Sequence, residues 1–545
     1  MNFLKPIYYT TIFIFLLGSC KSISTIPVPQ SSNYVVTAVD KKVPLTEAES
    51  RSWGHSDLVT DSIPGMSLDK AYTFLQGKKG VEVVVGVVDS GTDLLHEDLK
   101  DVAWVNTKEI AENGIDDDKN GYIDDINGWN FLGSIYKEHL EYQRIVIDPS
   151  IADEVTFKEA KVFYAEKVVA AKANEKRYGQ MLSMVTNADD TLSKHLNTTD
   201  YSKDDVMAIV TEDDALKGGV EVAKQMYGFG LNSLGQAKKE LSKLVENATV
   251  LISGDALKKD YRSILGDNPN TMDKKFYGNA STRHSIKDEA HGTHVSGIIG
   301  ASRNNNLGMN GVANNVKIMA VRAVPDGDEY DKDVALGLRY AVDNGAKVIN
   351  TSFGKGYSPK QKWVHEAIKY AASKDVLIVN AAGNDGKNID IEKTFPNDSN
   401  DLKTEISDNF LTVGAMSANY NEKLPASFSN YGKINVDVFA PGVQIYSTTP
   451  EGGYAKFSGT SMAAPSTAGV AALIRSYYPK LSASQVKHIL MNSGTLIDLE
   501  VIKPGSQSRE NPTGEKVPFS ELSVSGRVVN AYSALKMADF MVNGR

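Results

Sequence analysis

The chain has 545 residues, of which 41% are hydrophobic and 23% are charged. This is the composition of an ordinary globular protein, and the length allows one large domain with an insertion or two to three smaller domains. The net charge of −9 argues against a nucleic-acid partner, because proteins that bind nucleic acid carry clustered positive charge.

The N-terminus has the features of an export signal. An uncharged apolar run covers residues 7–17, which is too short to span a bilayer but fits the central region of a signal peptide. The segment Leu17-Gly-Ser-Cys20 resembles a bacterial lipoprotein signal, in which the cysteine is lipidated. An ordinary export signal with an incidental cysteine is the alternative. We therefore expect a signal peptide over 1–20, a tether over 21–52, and an exported lipoprotein of the cell envelope held to a membrane by its N-terminal lipid.

Short β-branched runs alternate with helical patterns over much of the chain. The run Val81–Val88 is typical of a strand buried on both faces of a parallel sheet. The alternation predicts an α/β fold with a doubly wound, mostly parallel sheet, whose ligands bind beyond the carboxyl ends of the strands. Further strands are predicted at 317–324, 346–351, 376–381, 411–415 and 436–440, and helices at 332–344, 362–373 and 461–478.

The character of the sequence changes over 132–285, where apolar residues recur at helical spacing. The clearest patterns cover 156–185 and 234–247. We interpret this region as a helical insertion that divides a catalytic domain into 53–131 and 286–540. We favour packing of these helices on each other and on the host domain over a membrane or partner role.

Three segments carry residue types that together suit serine hydrolysis. Asp89 follows the first strand, His291 lies in His291-Gly-Thr-His-Val-Ser-Gly, and Ser461 lies in Gly-Thr-Ser-Met-Ala-Ala-Pro465. A serine nucleophile needs a base to take its proton and a carboxylate to orient that base. Pro465 suits the first turn of a helix, which predicts that Ser461 lies near a helix N-terminus, where developing negative charge is favoured. Each residue alone is more often structural, but the three agree in order and context.

The three segments resemble the signature motifs of the subtilisin-like serine proteases (subtilases). By this resemblance Asp89 orients His291, His291 is general base and then acid, and Ser461 attacks the peptide carbonyl. Asn384 matches the family's oxyanion-hole asparagine. The segment Ser352, Phe353 and Gly354 matches the strand that pairs with the substrate backbone and forms the pocket for the residue before the cleaved bond. A cis proline is expected at Phe395–Pro396 to support that pocket.

Two stretches are candidates for structural Ca²⁺. One is an acidic loop in which Asp116, Asp118, Asn120 and Asp124 occupy the first, third, fifth and ninth places of an EF-hand-like pattern, although the twelfth place lacks a glutamate. A solvated acidic turn is the alternative. The other rests on the family resemblance, which implies side-chain ligands from Asp98 and Asn305 and carbonyl ligands from Arg303, Leu307 and Met309.

The resemblance implies a serine endopeptidase acting on peptide or protein substrates. One rival is a catalytically silent subtilase-like scaffold that binds peptides or proteins. A second is a carboxyl-type serine peptidase with an acidic base, which the intact motif around His291 disfavours. The sequence leaves the oligomeric state open. It predicts that hydrolysis falls below roughly pH 6.5 as His291 takes a proton.

Overall fold

The structure is a computed structural model that describes residues 40–544. The expected signal peptide, Cys20 and most of the expected tether lie outside the described residues. Within 40–544, none of the helices combines the length and the apolar character that crossing a bilayer requires.

A nine-stranded sheet forms the centre of the described chain, in the order β10-β13-β7-β6-β5-β4-β1-β3-β2. Its neighbours are parallel except for the β10–β13 pair. Two hairpins, β8–β9 and β11–β12, lie apart from it. The strands are β1 (Val83–Asp89), β2 (Gly128–Asn130), β3 (Val316–Arg322), β4 (Val348–Thr351), β5 (Leu377–Ala381), β6 (Phe410–Met416), β7 (Val438–Pro441), β8 (Ile445–Thr449), β9 (Gly453–Phe457), β10 (Thr495–Leu496), β11 (Glu500–Ile502), β12 (Lys516–Pro518) and β13 (Arg527–Val528).

Helices cover both faces of this sheet. The α-helices within residues 40–544, which include those of the insertion, are α1 (Glu47–Ser52), α2 (Leu58–Asp61), α3 (Leu68–Leu75), α4 (Glu141–Ile147), α5 (Glu154–Leu196), α6 (Lys203–Met207), α7 (Asp214–Gly228), α8 (Leu234–Ser253), α9 (His291–Gly300), α10 (Asp331–Asp343), α11 (Gln361–Ser373), α12 (Thr460–Tyr477), α13 (Ala483–Ser493) and α14 (Ala531–Asn543).

The central strands are apolar because both of their faces are buried. In β1, β4, β5 and β6 nearly every residue is buried, which is why the sequence shows continuous rather than alternating hydrophobic runs. One face packs against α9 and α12, and the other against α10 and α11. The predicted α/β fold with a doubly wound, mostly parallel sheet is confirmed.

The expected helical insertion contains α4 to α8. Helix α5 has 43 residues, which corresponds to a length of roughly 65 Å. Its C-terminal half packs with α7 and α8 around a separate hydrophobic core that includes Leu192, Val220 and Leu241. The predicted helices at 156–185 and 234–247 are present but longer, over Glu154–Leu196 and Leu234–Ser253.

The structure differs from the expected tether in its last part. Helix α1 is closed by a capping box between Thr46 and Glu49, and the Arg51 guanidinium lies 4.9 Å from the centre of the Tyr446 ring. The Asp40 carboxylate accepts the backbone N–H of Tyr420 at 3.1 Å. Residues 40–52 therefore contact the catalytic domain, because capping and ion-pair groups outweigh the low apolar content that suggested an extended chain.

Candidate active site

Three neighbouring strands bring the predicted site residues to one edge of the sheet. Asp89 is the last residue of β1, Ser352 directly follows β4, and Asn384 lies three residues beyond β5. Strands β1, β4 and β5 are adjacent and parallel, so their carboxyl ends lie side by side. This is the edge at which an open α/β sheet binds ligands.

Asp89 and His291 are in direct contact. His291 is the first residue of α9, and its Nδ1 lies 2.7 Å from Asp89 Oδ1. The N–H of Ser90 donates to the same oxygen at 2.7 Å, and Asp89 is buried with 1% of its surface exposed. A buried carboxylate requires a donor from the ring, so Nδ1 carries hydrogen and Nε2 is the basic nitrogen.

The environment of His291 favours the protonated ring. Burial lowers the pKa of His291, but the negative charge and the hydrogen bond of Asp89 outweigh it, and the net effect is a pKa above the ordinary value of 6.5. The ring is therefore a stronger base than a free histidine.

Ser461 is the second residue of α12 and is tied to Ser352. Its Oγ donates to the Ser352 carbonyl at 3.1 Å, and Ser352 Oγ donates to the Ser461 carbonyl at 2.9 Å. Among the described residues, no hydrogen bond joins the Ser461 hydroxyl to His291. The structure thus pairs Asp89 with His291 and Ser461 with Ser352.

The position of Pro465 differs from the prediction. It is the sixth residue of α12 rather than part of the first turn. Because proline has no N–H, it leaves the carbonyl of Ser461, four residues earlier, without its helical partner. The hydroxyl of Ser352 donates to that carbonyl instead. The expectation that Ser461 lies near the helix N-terminus is confirmed.

Asn384 is oriented by Thr460. Asn384 Oδ1 accepts the Thr460 N–H at 2.8 Å and its hydroxyl at 3.0 Å, which assigns Nδ2 as the outward donor. A Cβ built on Gly459 would lie 3.6 Å from both Asn384 Nδ2 and the Ser461 nitrogen. The Asn384 amide, with Oδ1 at 3.7 Å from the same point, and the Ser461 nitrogen are therefore close to each other beside Gly459.

The segment Ser352, Phe353 and Gly354 leads into a pair of backbone hydrogen bonds. The next residue, Lys355, exchanges both N–H···O bonds with Phe395 at 2.9 Å. The Phe395–Pro396 peptide bond is cis, as expected. This pairing holds Gly354 against the loop that precedes Pro396.

The calcium candidate implied by the family resemblance consists of residues that hydrogen-bond to one another. Asp98 is fully buried, and its carboxylate accepts Asn305 Nδ2 at 2.6 Å, the Met309 N–H at 3.3 Å and the Tyr454 hydroxyl at 2.8 Å. Asn305 Oδ1 accepts the Leu307 N–H at 3.0 Å. Asp98, Asn305 and the loop 303–309 thus come together as predicted, but Asn305 directs a donor, not its oxygen, at Asp98. The set fits a cation only after that amide rotates.

In the acidic-loop calcium candidate, the structure groups two of the four predicted residues with a further carboxylate. Carboxylate oxygens of Asp116 and Asp118 lie within 4.8 Å of each other and of Glu109, which the sequence reasoning did not include. Asp124 is directed elsewhere and accepts the N–H groups of residues 113 and 114. Asn120 donates to Asp125 at 3.0 Å. Asp124 is not part of the Glu109, Asp116 and Asp118 group, and its ninth-place role stays a prediction.

Some residues that shape the site were missed in the sequence. Thr460 orients Asn384, and a buried ion pair between Arg322 and Glu289 (2.7 Å) supports the turn after Asp89, where Glu289 accepts the Gly91 N–H at 2.8 Å. A charged residue at the end of an apolar strand, as at Arg322, was the available signal.

The site at this edge of the sheet contains a serine near a helix N-terminus, an aspartate–histidine pair and an asparagine whose side-chain oxygen is held by Thr460. The model of the subtilase family matches residues 80–514, and the chain belongs to this family of serine-type endopeptidases.

Known proteins similar to this chain include two Bacillus proteases. The cell wall-associated protease of Bacillus subtilis (strain 168) is 37% identical over 293 residues, which are 52% of this chain and 30% of that protein. Subtilisin DY of Bacillus licheniformis is 37% identical over 229 residues, 41% of this chain and 78% of that protein. The alignment with a solved protease structure from Pseudoalteromonas arctica includes 90% of this chain and 97% of the solved chain, at 19% sequence identity and with a TM-score of 0.45.

Proposed function

We propose that this chain is a serine endopeptidase in which Asp89, His291 and Ser461 form the catalytic triad. The observation that carries the proposal is the 2.7 Å hydrogen bond between His291 Nδ1 and a buried Asp89, at the sheet edge that also holds Ser461. Members of the subtilase family cleave peptide bonds with such residues, and the motifs of this chain supply each role.

The proposed reaction begins when the Ser461 hydroxyl turns from the Ser352 carbonyl toward His291. Nε2 takes the proton while Oγ attacks the substrate carbonyl carbon. The C–N bond then breaks, and His291 gives the proton to the leaving amine. A water molecule, deprotonated by His291, hydrolyses the acyl-enzyme ester and restores Ser461.

Asn384 has the role of stabilising the oxyanion in this scheme. Its Nδ2 and the N–H of Ser461 would donate to the negative oxygen of the tetrahedral intermediate. Donors that are already fixed in place need no reorganisation during the reaction. Thr460 supplies this fixation by holding Asn384 Oδ1.

Peptide and protein chains are the proposed substrates. An extended peptide would pair with Ser352, Phe353 and Gly354 through main-chain hydrogen bonds, with the residue before the cleaved bond in the adjoining pocket. Backbone pairing of this kind accepts many sequences.

Peptide hydrolysis tests the proposal. The purified protein should cleave peptide anilides, and Ser461→Ala should lower kcat about a million-fold. Ser466→Ala, on the same helix, is the matched control and should retain activity. Activity that survives in Ser461→Ala would contradict the proposal, and an inactive wild-type protein would favour a silent scaffold. An optimum at strongly acid pH would favour the carboxyl-type peptidase.

We also propose structural Ca²⁺, which subtilases commonly bind. The support is the carboxylate group of Glu109, Asp116 and Asp118, and the Asp98–Asn305 pair once its amide rotates. Excess Ca²⁺ should raise Tm after chelator treatment. The increase should shrink in Asp116→Asn if the acidic loop binds, and in Asp98→Asn if the other site binds. An unchanged Tm would contradict both.

Export and lipid anchoring through Cys20 remain part of the proposal. The support is the sequence of residues 1–20 alone. Labelling of cells with a radioactive fatty acid should mark the wild-type protein and leave Cys20→Ser unmarked. Equal labelling of both would contradict lipidation.

A further inference from the structure

The first part of the insertion contacts both sides of the crevice above Asp89. Strands β3 and β4 flank β1, so the segments beyond their carboxyl ends, 325–329 and 352–355, lie on either side of the sheet edge at Asp89, where an open α/β sheet forms its ligand-binding crevice. We call these segments the two walls, and residues 136–147 of the insertion the brace.

The brace extends the first wall as a short β-bridge. Lys137 pairs with Asp326, whose N–H donates to the Tyr136 carbonyl at 2.7 Å and whose carbonyl accepts the Glu138 N–H at 3.0 Å. Gly327 has a φ of +143°, and a Cβ there would lie 2.2 Å from the Glu138 carbonyl oxygen. The two backbones therefore approach too closely at Gly327 for any side chain to fit.

Helix α4 of the brace holds the same wall through charge. The Arg144 guanidinium donates to the carbonyls of Asp328 (2.7 Å) and Glu329 (3.0 Å) and pairs with Glu141. The N–H of Glu141 donates to the Asp328 carboxylate at 2.6 Å. These contacts fix the wall at both its backbone and its side chains.

A buried lysine connects the brace with the second wall. Lys355 directly follows Gly354, and its ammonium donates to Glu141 at 2.6 Å and to the Glu329 carbonyl at 2.7 Å, and lies 2.9 Å from Asp331. Its side chain is 2% exposed. The backbone of Lys355 is fixed as well, by the bridge to Phe395.

Charge complementarity keeps this cluster assembled. Burial raises the pKa of Glu141, but Arg144 and Lys355 outweigh it and hold the pKa at about 2. Glu141 is therefore ionised across the neutral range and neutralises a cation on each side. Removing it would leave Arg144 without its paired carboxylate and Lys355 with Asp331 and the Glu329 carbonyl alone, which weakens the connection between the walls through the brace.

We propose that Glu141 and Lys355 are positioning residues that set the spacing of the two walls and thereby determine how well an extended peptide binds. The inference rests on the proposed function, since it concerns the same crevice. It gives the insertion a role in substrate binding, and no member of the brace touches the reacting atoms.

The test uses acyl anilide substrates of one, two and four residues that share the residue before the cleaved bond. In the wild-type protein kcat/KM should increase with length, because longer peptides pair along the walls. In Glu141→Gln and Lys355→Met we expect most of that increase to disappear, so that kcat/KM on the longest substrate falls by about tenfold or more. The one-residue substrate should change less than about twofold. Titration of active enzyme with a fluorophosphonate corrects every rate for unfolded protein.

Lys332→Met and Asp267→Asn are the matched controls. Lys332 is fully buried and pairs with Asp267 of the insertion at 3.1 Å, but neither residue contacts the walls. Both controls should keep the increase with length. The inference is overturned if Glu141→Gln keeps the increase of kcat/KM with substrate length. It is also overturned if the controls lose that increase equally, or if the wild-type protein shows no such increase. A wild-type protein that hydrolyses none of the substrates would instead contradict the proposed function.

Discussion

At the scale of single residues, the contact between Asp89 and His291 sets the expected pH dependence. The folded pKa of His291 lies above 6.5, so the ring binds a proton at a higher pH than it would in the unfolded chain. The charged pair stabilises the folded protein fully below the unfolded pKa, and this contribution is lost as the pH rises through the folded pKa. The catalytic rate should instead rise as the pH rises through the pKa of His291, because only the neutral ring accepts the proton of Ser461.

The acid limb of kcat/KM should therefore have its midpoint above pH 6.5. Asp89→Asn should lower kcat by about ten-thousand-fold. The acid limb of the activity that remains should move to lower pH, because the negative charge that raises the pKa of His291 is gone. Measured rates from pH 5 to 10 check this. A midpoint below 6.5 in the wild-type protein would show that burial outweighs Asp89.

Thr460 and Asn384 allow a graded test of the oxyanion donors. Asn384→Ala should lower kcat by about 100- to 1,000-fold with little change in KM, because the donor acts mainly on the transition state. Thr460→Val removes the hydroxyl at 3.0 Å but keeps the N–H at 2.8 Å, so we expect a loss of only about tenfold. Steady-state kinetics distinguish the two. Equal losses would mean that Thr460 has another role.

The residues of the site differed in how far the sequence could predict them. Asp89, His291 and Ser461 were found because flanking glycines, strand ends and a helix start are local features. Pro465 was placed one turn too early, because its effect on the Ser461 carbonyl involves Ser352, more than a hundred residues away. The group of Glu109, Asp116 and Asp118 is not apparent from sequence, because spacing alone shows neither that Glu109 joins it nor that the Asp124 carboxylate accepts the N–H groups of residues 113 and 114.

At the scale of secondary structure elements, the end of β3 is tied to the turn after β1 by a buried ion pair. Arg322 is fully buried, donates to Glu289 at 2.7 Å and also reaches the carbonyl of Ile135 at 2.8 Å. Glu289 in turn accepts the Gly91 N–H. Three separate parts of the chain therefore meet at one guanidinium.

Arg322→Met should lower the free energy of unfolding by about 3–5 kcal/mol, because the buried charge of Glu289 would lose its cationic partner and keep only backbone N–H donors. Urea unfolding measures the change. The double variant Arg322→Met/Glu289→Gln should recover part of the loss, since no buried charge remains. A loss below about 1 kcal/mol in the single variant would indicate that water reaches Glu289.

The elements themselves were largely predictable, and their contacts were not. Buried parallel strands such as Leu377–Ala381 give continuous apolar runs that are read directly from sequence. Short pieces such as Gly128–Asn130 carry no such signal, because pairing with β3 rather than local preference makes them strands. The links from Arg322 and Lys355 to the insertion join distant parts of the chain and leave no periodic trace.

At the scale of the whole molecule, the insertion divides into two parts with different contacts. The brace contacts the walls, whereas the distal part of α5 packs with α7 and α8 around its own core. Glu175 on α5 and Thr249 at the end of α8 hydrogen-bond at 3.1 Å, so the two helices are close at that level.

Replacing residues 176–248 with a short glycine-rich turn should therefore leave a folded protein with nearly the full kcat/KM on a four-residue substrate. Deleting 135–283 should abolish activity, because it also removes Tyr277 from the core and takes Arg262 and Asp267 away from the buried charges of Asp333 and Lys332. Circular dichroism and peptide kinetics on both variants check the contrast. Loss of activity in the shorter deletion would assign the distal helices a part in catalysis.

The central claim is that Ser461 is a nucleophile activated by His291. The most direct measurement is mass spectrometry of the protein after reaction with a fluorophosphonate, which bonds covalently to an activated serine. We predict a single adduct on Ser461, formed rapidly in the wild-type protein, far more slowly in His291→Ala, and absent in Ser461→Ala. An adduct on another serine, or none on folded wild-type protein at neutral pH, would contradict the claim.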